Sequence, residues 1–211
     1  MSSAVRNPLF ARAYARMSER ESEEQIEHRR ETLAGLSGRV LELGAGNGRN
    51  FGFYPSDVAE VLAVEPEPFM RQRAVEAAAD ALVPIRVLDA TADELPLAES
   101  SVDAAVASLV LCSVPDQGRA IDELHRVLRA RGELRFYEHV HADRQPLRAV
   151  LTALDRSTLW PRLAGGCHPA RDTLDAISTG GFEVERSRRF AFAAGWGQPR
   201  IPHIIGVARR V

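Results

Sequence analysis

A glycine-rich turn directly follows an apolar run at residues 40–48, which read VLELGAGNG. Gly44, Gly46 and Gly48 allow the backbone to turn tightly and to approach a ligand where a Cβ would collide. The spacing differs from the Gly-x-Gly-x-x-Gly of dinucleotide folds, and the Gly-Lys-Ser/Thr ending of phosphate loops is missing. Glu42 places a carboxylate beside the turn, which repels phosphate and suits a positively charged ligand.

A second acid, Glu65, ends the next apolar run, Val61–Glu65. A carboxylate at the carboxyl end of a strand can accept hydrogen bonds from both ribose hydroxyls of a nucleoside. Two alternatives stay open: Glu65 caps the helix predicted at Glu67–Ala81, and Glu42 is a buried acid bonded to backbone amides. The two acids and the turn together favour a cationic nucleoside such as S-adenosylmethionine, which carries an ammonium and a sulfonium.

Two histidines, His139 and His141, stand two positions apart near the end of a predicted strand and are expected to share a face. They are the candidates for a catalytic base. Alternatively, the two histidines form half of a metal site or make structural hydrogen bonds only. We predict no metal site. A thiol acceptor has a reference pKa near 8.5, so a modest electrostatic bias or a nearby base would yield the thiolate.

Aromatic side chains are candidates for the walls of a substrate pocket. Tyr14 is a candidate lid over a bound cofactor, with ordinary packing as the alternative. Trp160, Phe190, Phe192 and Trp196 could line an apolar substrate site or belong to the core. The stretch that contains Trp160, residues 142–172, is the only sizeable insertion and is expected to roof a compact pocket.

Composition narrows the function classes. The 211 residues suit one domain, and a net charge of −2 makes nucleic acid an unexpected partner. The chain contains no lysine, which excludes a lysine Schiff base and is typical of a GC-rich bacterial genome. With two cysteines, no signal peptide and no apolar run of about 18 residues, we expect a cytoplasmic protein without stable membrane insertion. Cys112 is interpreted as a packed small hydrophobe.

Apolar runs alternate with helical patterns, which predicts a parallel sheet flanked by helices. A helix capped by Ser18, with Glu21 three residues on, is predicted over Ser18–Leu36. The terminal runs Phe182–Phe192 and His203–Ala208 lack room for a crossover helix and should pair antiparallel. The remaining predicted elements are strands at Val40–Leu43, Val61–Glu65, Ile85–Leu88, Val102–Ser108 and Glu133–Val140, and helices at Glu67–Ala81 and Asp116–Arg129.

These motifs together resemble those of class I S-adenosylmethionine-dependent methyltransferases. Residues 40–48 look like the first family motif, and Glu65 resembles the ribose-binding acid. Residues 90–96 resemble the adenine-side segment, with Thr91 where the family often has Asp, and residues 101–108 match the fourth-strand motif. The resemblance implies a Rossmann-like α/β fold: a seven-stranded, mostly parallel sheet with an antiparallel C-terminal strand and helices on both faces. It implies these cofactor contacts: Tyr14, Glu42, Gly44, Ala45, Gly46, Gly48, Glu65, Pro66, Thr91, Ala92, Ser108 and Leu109.

A narrower resemblance is to the methyltransferase-like seven proteins, which methylate alkyl thiols. It is carried by Asn50–Pro55, Leu109–Val114, Glu138–Val140, Gly166–Cys167 and Pro202–Gly206. Those proteins begin with a membrane anchor that has no counterpart in this sequence. We expect an N-terminal helical cap segment at residues 1–36 and one methyltransferase domain at residues 37–211.

The expected partner is a small-molecule methyl acceptor, with an alkyl thiol favoured. Oxygen, nitrogen or carbon acceptors on quinone-like or natural-product rings are the alternative, and a catalytically silent cofactor-binding protein is another. A nicotinamide reductase is disfavoured by the glycine spacing and the terminal hairpin. An enzyme acting on nucleic-acid or protein amines would carry Asn/Asp-Pro-Pro-Tyr where this chain has residues 108–111, SLVL. The sequence does not indicate an oligomeric state.

Overall fold

One seven-stranded sheet organises the chain. In the computed structural model the described residues are 8–157, 159–193 and 200–211. The strands are β1 Gly38–Leu43, β2 Val58–Val64, β3 Ile85–Leu88, β4 Val102–Ser108, β5 Leu128–His139, β6 Phe182–Phe192 and β7 Ile201–Arg210. The helices are α1 Pro8–Ser18, α2 Glu23–Leu33, α3 Pro68–Ala78, α4 Gln117–Val127, α5 Leu147–Arg156, α6 Leu159–Leu163 and α7 Thr173–Thr179.

The strand order is β3-β2-β1-β4-β5-β7-β6. Strands β1 to β5 pair in parallel, whereas β7 is antiparallel to both β5 and β6. The predicted mostly parallel sheet with an antiparallel C-terminal strand is therefore confirmed. Because the order reverses between β1 and β4, the carboxyl ends of these two strands open a crevice where ligands bind in such folds.

Helices cover both faces of the sheet because alternate strand residues point to opposite sides. On one face, Leu41 and its neighbours pack with Ile121 of α4 and Ile177 of α7. On the other, Val40 packs in a separate core cluster with Leu33 of α2. Burial on both faces explains the nearly continuous apolar runs of the central strands.

The N-terminal helical region differs from its prediction. Instead of one helix over Ser18–Leu36 there are two, α1 and α2, and Ser18 is the last residue of α1. Ser22 is the N-cap of α2, where it forms a reciprocal capping box with Gln25. Ser22 with Gln25 repeats the Ser-x-x-Glu/Gln pattern of Ser18 with Glu21, so the local signal alone could not decide between the two caps.

Helix α4 also ends earlier than predicted, at Val127 rather than Arg129. Leu128 has extended dihedral angles (φ −68°, ψ 142°) and begins β5 directly. Helices α5 and α6 lie within the insertion at residues 142–172. No helix among the described residues is long and apolar enough to cross a lipid bilayer.

Candidate functional site

A cavity of about 770 Å³ lies at the carboxyl ends of the central strands. Its volume is in the usual range for small-molecule sites. Gly48 alone among the predicted cofactor contacts does not belong to the lining. The predicted contacts that line it are Tyr14, Glu42, Gly44, Ala45, Gly46, Glu65, Pro66, Thr91, Ala92, Ser108 and Leu109.

The three glycines of the turn all have positive φ, yet each meets different surroundings. A Cβ on Gly44 would lie 2.4 Å from a methyl of Val110, and one on Gly48 would lie 2.9 Å from Ala77 of α3. Both glycines therefore allow close packing within the protein. A Cβ on Gly46 would have nothing nearer than Met70, at 3.8 Å. Gly46 thus leaves open space in the cavity, where a ligand can approach the backbone.

Glu65 fixes the turn from the neighbouring strand. One carboxylate oxygen accepts a hydrogen bond from the Gly46 N–H at 2.8 Å, and the other accepts from the Glu67 N–H at 2.9 Å. The helix-cap alternative is wrong, because Glu67 is the N-cap of α3 and accepts from the Met70 N–H. Burial raises the pKa of Glu65, which its backbone hydrogen bonds partly oppose.

Glu42 is buried beneath the turn and is held by side chains rather than by backbone amides. Tyr54 donates its hydroxyl hydrogen to one oxygen at 2.7 Å, and Asn50 donates its amide hydrogen to the other at 2.9 Å. Arg29 of α2 in turn donates to the Asn50 side-chain oxygen at 2.8 Å. Burial raises the pKa of Glu42 to about 7, so the cavity contains a carboxyl group poised to ionise near neutrality.

The last residue of β4 and the segment after it also line the cavity. Ser108 Oγ is buried and has no hydrogen-bond partner among the described residues, which leaves a polar atom for a ligand. Leu109 has a φ of 57° and donates its N–H to the Tyr137 carbonyl at 2.7 Å. Glu138, fully buried at the end of β5, accepts hydrogen bonds from the N–H groups of the three residues after Leu109.

His139 lies between the two cysteines of the chain. Its Nδ1 is 3.5 Å from Cys112 Sγ and 3.4 Å from Cys167 Sγ. Cys112 follows β4, Cys167 follows α6, and both are buried. His139 and Cys167 line the cavity, so the cluster forms part of its wall.

The electrostatics of this cluster favour one thiolate. The hydrogen bond from Cys112, assisted by His139, lowers the pKa of Cys167 to about 5. The same contact, together with burial, raises the pKa of Cys112. Burial would lower the pKa of His139, but the Cys167 sulfur outweighs it and raises the pKa.

His141 does not share this position. Strand β5 ends at His139, so the alternation that would put both histidines on one face does not continue. His141 lies outside the cavity lining. Its Nε2 is 3.6 Å from a carboxylate oxygen of Asp143, and its Nδ1 is 3.6 Å from a carboxylate oxygen of Asp172.

The end of the cavity lined by Trp160 is mostly apolar, although Arg162 also belongs to the lining there. Trp160 lines this end, whereas Phe190 and Phe192 pack against the His28 ring instead, and Trp196 lies outside the described residues. The insertion at residues 142–172 therefore supplies part of the cavity lining, as expected for a segment that roofs the pocket. Other apolar lining residues at this end are Val114, Pro115, Pro161 and Ala164.

Several site residues were missed from the sequence. Asn50 and Tyr54 follow Glu42 within 12 positions, so proximity in the chain was an available signal. No signal in the sequence pointed to Arg29, because the charged residues around it form the pattern of a solvated helix. Cys112 was interpreted as a packed hydrophobe, and its contact with His139 depends on the pairing of β4 with β5.

Comparisons with known proteins agree with this geometry. A family model described as a methyltransferase domain matches residues 41–136. Thiol S-methyltransferase TMT1B of Mus musculus is 35% identical over 95% of this chain and 82% of its own length. Thiol S-methyltransferase TMT1A of Homo sapiens is 34% identical over 83% of this chain and 73% of its own. A solved S-adenosylmethionine-dependent methyltransferase of Methanosarcina mazei shares the fold, with a TM-score of 0.65 at 18% identity over 91% of this chain and 99% of its own.

Proposed function

We infer the acceptor from one premise: this chain belongs to the S-adenosylmethionine-dependent methyltransferase family that includes the thiol S-methyltransferases TMT1A and TMT1B. It is therefore an enzyme of methyl transfer. Bound S-adenosylmethionine supplies a methyl group on a sulfonium, whose sulfur leaves as a neutral thioether. We propose that the acceptor is a small alkyl thiol, bound at the apolar end of the cavity.

The residues of the cavity fit this cofactor. Gly46 leaves space for close approach to the backbone, and Ser108 offers an unpartnered hydroxyl. We propose that Glu65 holds the ribose and that Glu42, desolvated beneath the turn, favours the cofactor's ammonium group. Thr91 and Ala92 lie in the lining on the side where the resemblance places adenine.

The acceptor assignment rests chiefly on the likeness to the TMT1 proteins across nearly the whole chain. The cavity supports it, since Trp160 and its neighbours provide an apolar surface suited to a small uncharged thiol. His139 is the only histidine of the described residues in the lining, so we propose that it contacts the acceptor and His141 does not. The protein must align the acceptor sulfur with the methyl group and exclude water.

A panel of acceptors tests the proposal directly. With S-adenosylmethionine present, small apolar thiols should give S-adenosylhomocysteine and the methyl thioether, because sulfur ionises and attacks more readily than oxygen. The matched control for each thiol is the alcohol of the same carbon skeleton, which should be inert. Methylation of a phenol, amine or quinone while every thiol stays inert would overturn the thiol assignment and leave the methyltransferase intact.

The raised pKa of Glu42 predicts that cofactor affinity depends on pH. Glu42 is largely neutral below pH 7 and anionic above it, and only the anion attracts an ammonium group. If the complex keeps Glu42 ionised, S-adenosylhomocysteine should bind about tenfold more tightly at pH 7 than at pH 5.5. At pH 5.5–7 the ligand keeps its ammonium group, because even a peptide α-amino group loses its proton only near pH 7.7–8.0.

Titration calorimetry measures this dependence, with two controls. Glu42→Gln should bind with little dependence on pH, because an amide does not ionise in this range. Adenosine, which lacks the amino acid portion, should show no increase with the unchanged protein. An equal increase for adenosine and S-adenosylhomocysteine would show that Glu42 does not face the ammonium group.

A further inference from the structure

The sequence alone predicts no metal site, but the structure brings three suitable ligands together. We propose that Cys112, His139 and Cys167 form a binding site for a thiophilic divalent cation, best matched by Zn²⁺, in the wall of the cavity. Their three ligand atoms all lie within 4.8 Å of one another. Thiolate sulfur and imidazole nitrogen are the ligands that zinc prefers in proteins. The role of the cation in activating an acceptor thiol rests on the proposed function, whereas the binding of the cation does not.

The distances from His139 to the two cysteine sulfurs match two edges of a tetrahedral site. With Zn–S bonds of about 2.3 Å and a Zn–N bond of about 2.0–2.1 Å, the nitrogen-to-sulfur edge of a tetrahedron is about 3.6 Å. The observed edges, from His139 Nδ1 to the two sulfurs, are 3.5 Å for Cys112 and 3.4 Å for Cys167. A cation can therefore enter without moving the loops far.

The backbone holds the two cysteine loops together. Glu138 accepts from the Cys112 N–H at 3.1 Å, and the Cys112 carbonyl accepts from the His168 N–H at 2.8 Å. Gly166 approaches so closely that a Cβ there would lie 2.7 Å from the Ser113 carbonyl oxygen. Because these backbone contacts hold the two loops together before any ligand arrives, little ordering of the loops is needed on binding.

Charge also favours a divalent cation. The cation binds the deprotonated forms of Cys112, Cys167 and His139, and any protons that they still carry are released to solvent. The two thiolates then neutralise the charge of the cation.

Close to the cluster lie Arg171, whose guanidinium donates to the Leu111 carbonyl at 2.9 Å, and the carboxylate of Glu138. The pair of His168 and Asp155, 3.0 Å apart, also lies nearby. The opposite formal charges of Arg171 and Glu138 offset each other, so the occupied site carries little net charge in its buried surroundings.

Three protein ligands leave the fourth tetrahedral position open, as in zinc sites that bind substrate. His139 and Cys167 line the cavity, so an acceptor can reach a cation held between them. A thiol that binds there releases its proton to solvent and becomes a metal-bound thiolate. Its sulfur would then bond to the methyl carbon of S-adenosylmethionine as the sulfonium carbon–sulfur bond breaks, which leaves S-adenosylhomocysteine. The methylated product would be a neutral thioether, which binds zinc more weakly and would leave.

Cobalt titration of the full-length protein tests the site without relying on activity. After reduction and chelation, the protein should bind one Co²⁺ per chain, with a sulfur-to-metal charge-transfer absorption band. Zn²⁺ should displace the cobalt, because it binds such sites more tightly. Cys112→Ser and Cys167→Ser should each weaken binding by at least about 100-fold, more than loss of an outer contact would.

His168→Gln is the matched control, since His168 adjoins Cys167 but pairs with Asp155 outside the cluster. It should bind one Co²⁺ with the same absorption band. Absence of stoichiometric binding to the unchanged protein, or binding that survives loss of both cysteines, would overturn the proposal. Thiol methylation by a protein that binds no metal would remove the site and keep the proposed function. Stoichiometric metal binding by a protein that does not methylate thiols would keep the metal site and overturn the proposed function.

Discussion

Gly46→Val should lower the affinity for S-adenosylhomocysteine by about 100-fold or more and abolish methyl transfer. Gly46 has a φ of 57° and lines the cavity, and its missing Cβ leaves space that no protein atom fills within 3.8 Å. A branched side chain would occupy that space and would also disfavour the left-handed backbone of the turn. Calorimetry of S-adenosylhomocysteine binding, together with thermal unfolding, separates the two effects.

Gly35→Val is the matched control. Gly35 also has a positive φ, 75°, and a Cβ there would meet nothing within 4 Å, but it lies outside the cavity lining. Both variants should therefore lose similar stability, about 1–3 kcal/mol, from backbone strain. Only Gly46→Val should lose the ligand. If both variants bind S-adenosylhomocysteine as the unchanged protein does, the glycine turn is not the cofactor cradle.

His139→Ala should lower kcat/KM for a thiol acceptor by about 100-fold, the effect expected when a reacting group loses its alignment. His139 is the point where the two cysteine loops and the end of β5 meet in the cavity wall. Its loss removes the group that we place against the acceptor, whereas the glycine turn and Glu65 remain. Affinity for S-adenosylhomocysteine should therefore change little, which steady-state kinetics and calorimetry can establish together.

His141→Ala serves as the comparison, because it removes the same side chain two residues away. His141 faces the carboxylates of Asp143 and Asp172 outside the cavity lining, so its loss should reduce kcat/KM far less. Equal losses in the two variants would argue against a specific role for His139. A His139→Ala protein with unchanged turnover would place the acceptor elsewhere in the cavity.

The part of the cavity around the glycine turn was predictable because it depends on short stretches of chain. Glu42 and Gly46 are adjacent to one strand end, and Glu65 ends the next strand, so local pattern and the rule for parallel strands placed all three at one edge. The structure added the distances, including the 2.8 Å hydrogen bond from the Gly46 N–H to Glu65. It also showed that Gly48, likewise a glycine with a positive φ, packs against α3 instead.

By itself, the sequence determined the fold class, the glycine turn and its two acids, since hydrophobic alternation and glycine dihedral freedom are properties of neighbouring residues. Only the tertiary structure decided that Ser22 caps α2, that Arg29 reaches Asn50, and that His141 stays outside the cavity. It also brought His139 to the sulfurs of residues 112 and 167, which stand 27 and 28 positions away. Contacts at such separations arise when strands pair and loops pack, which a local pattern does not encode.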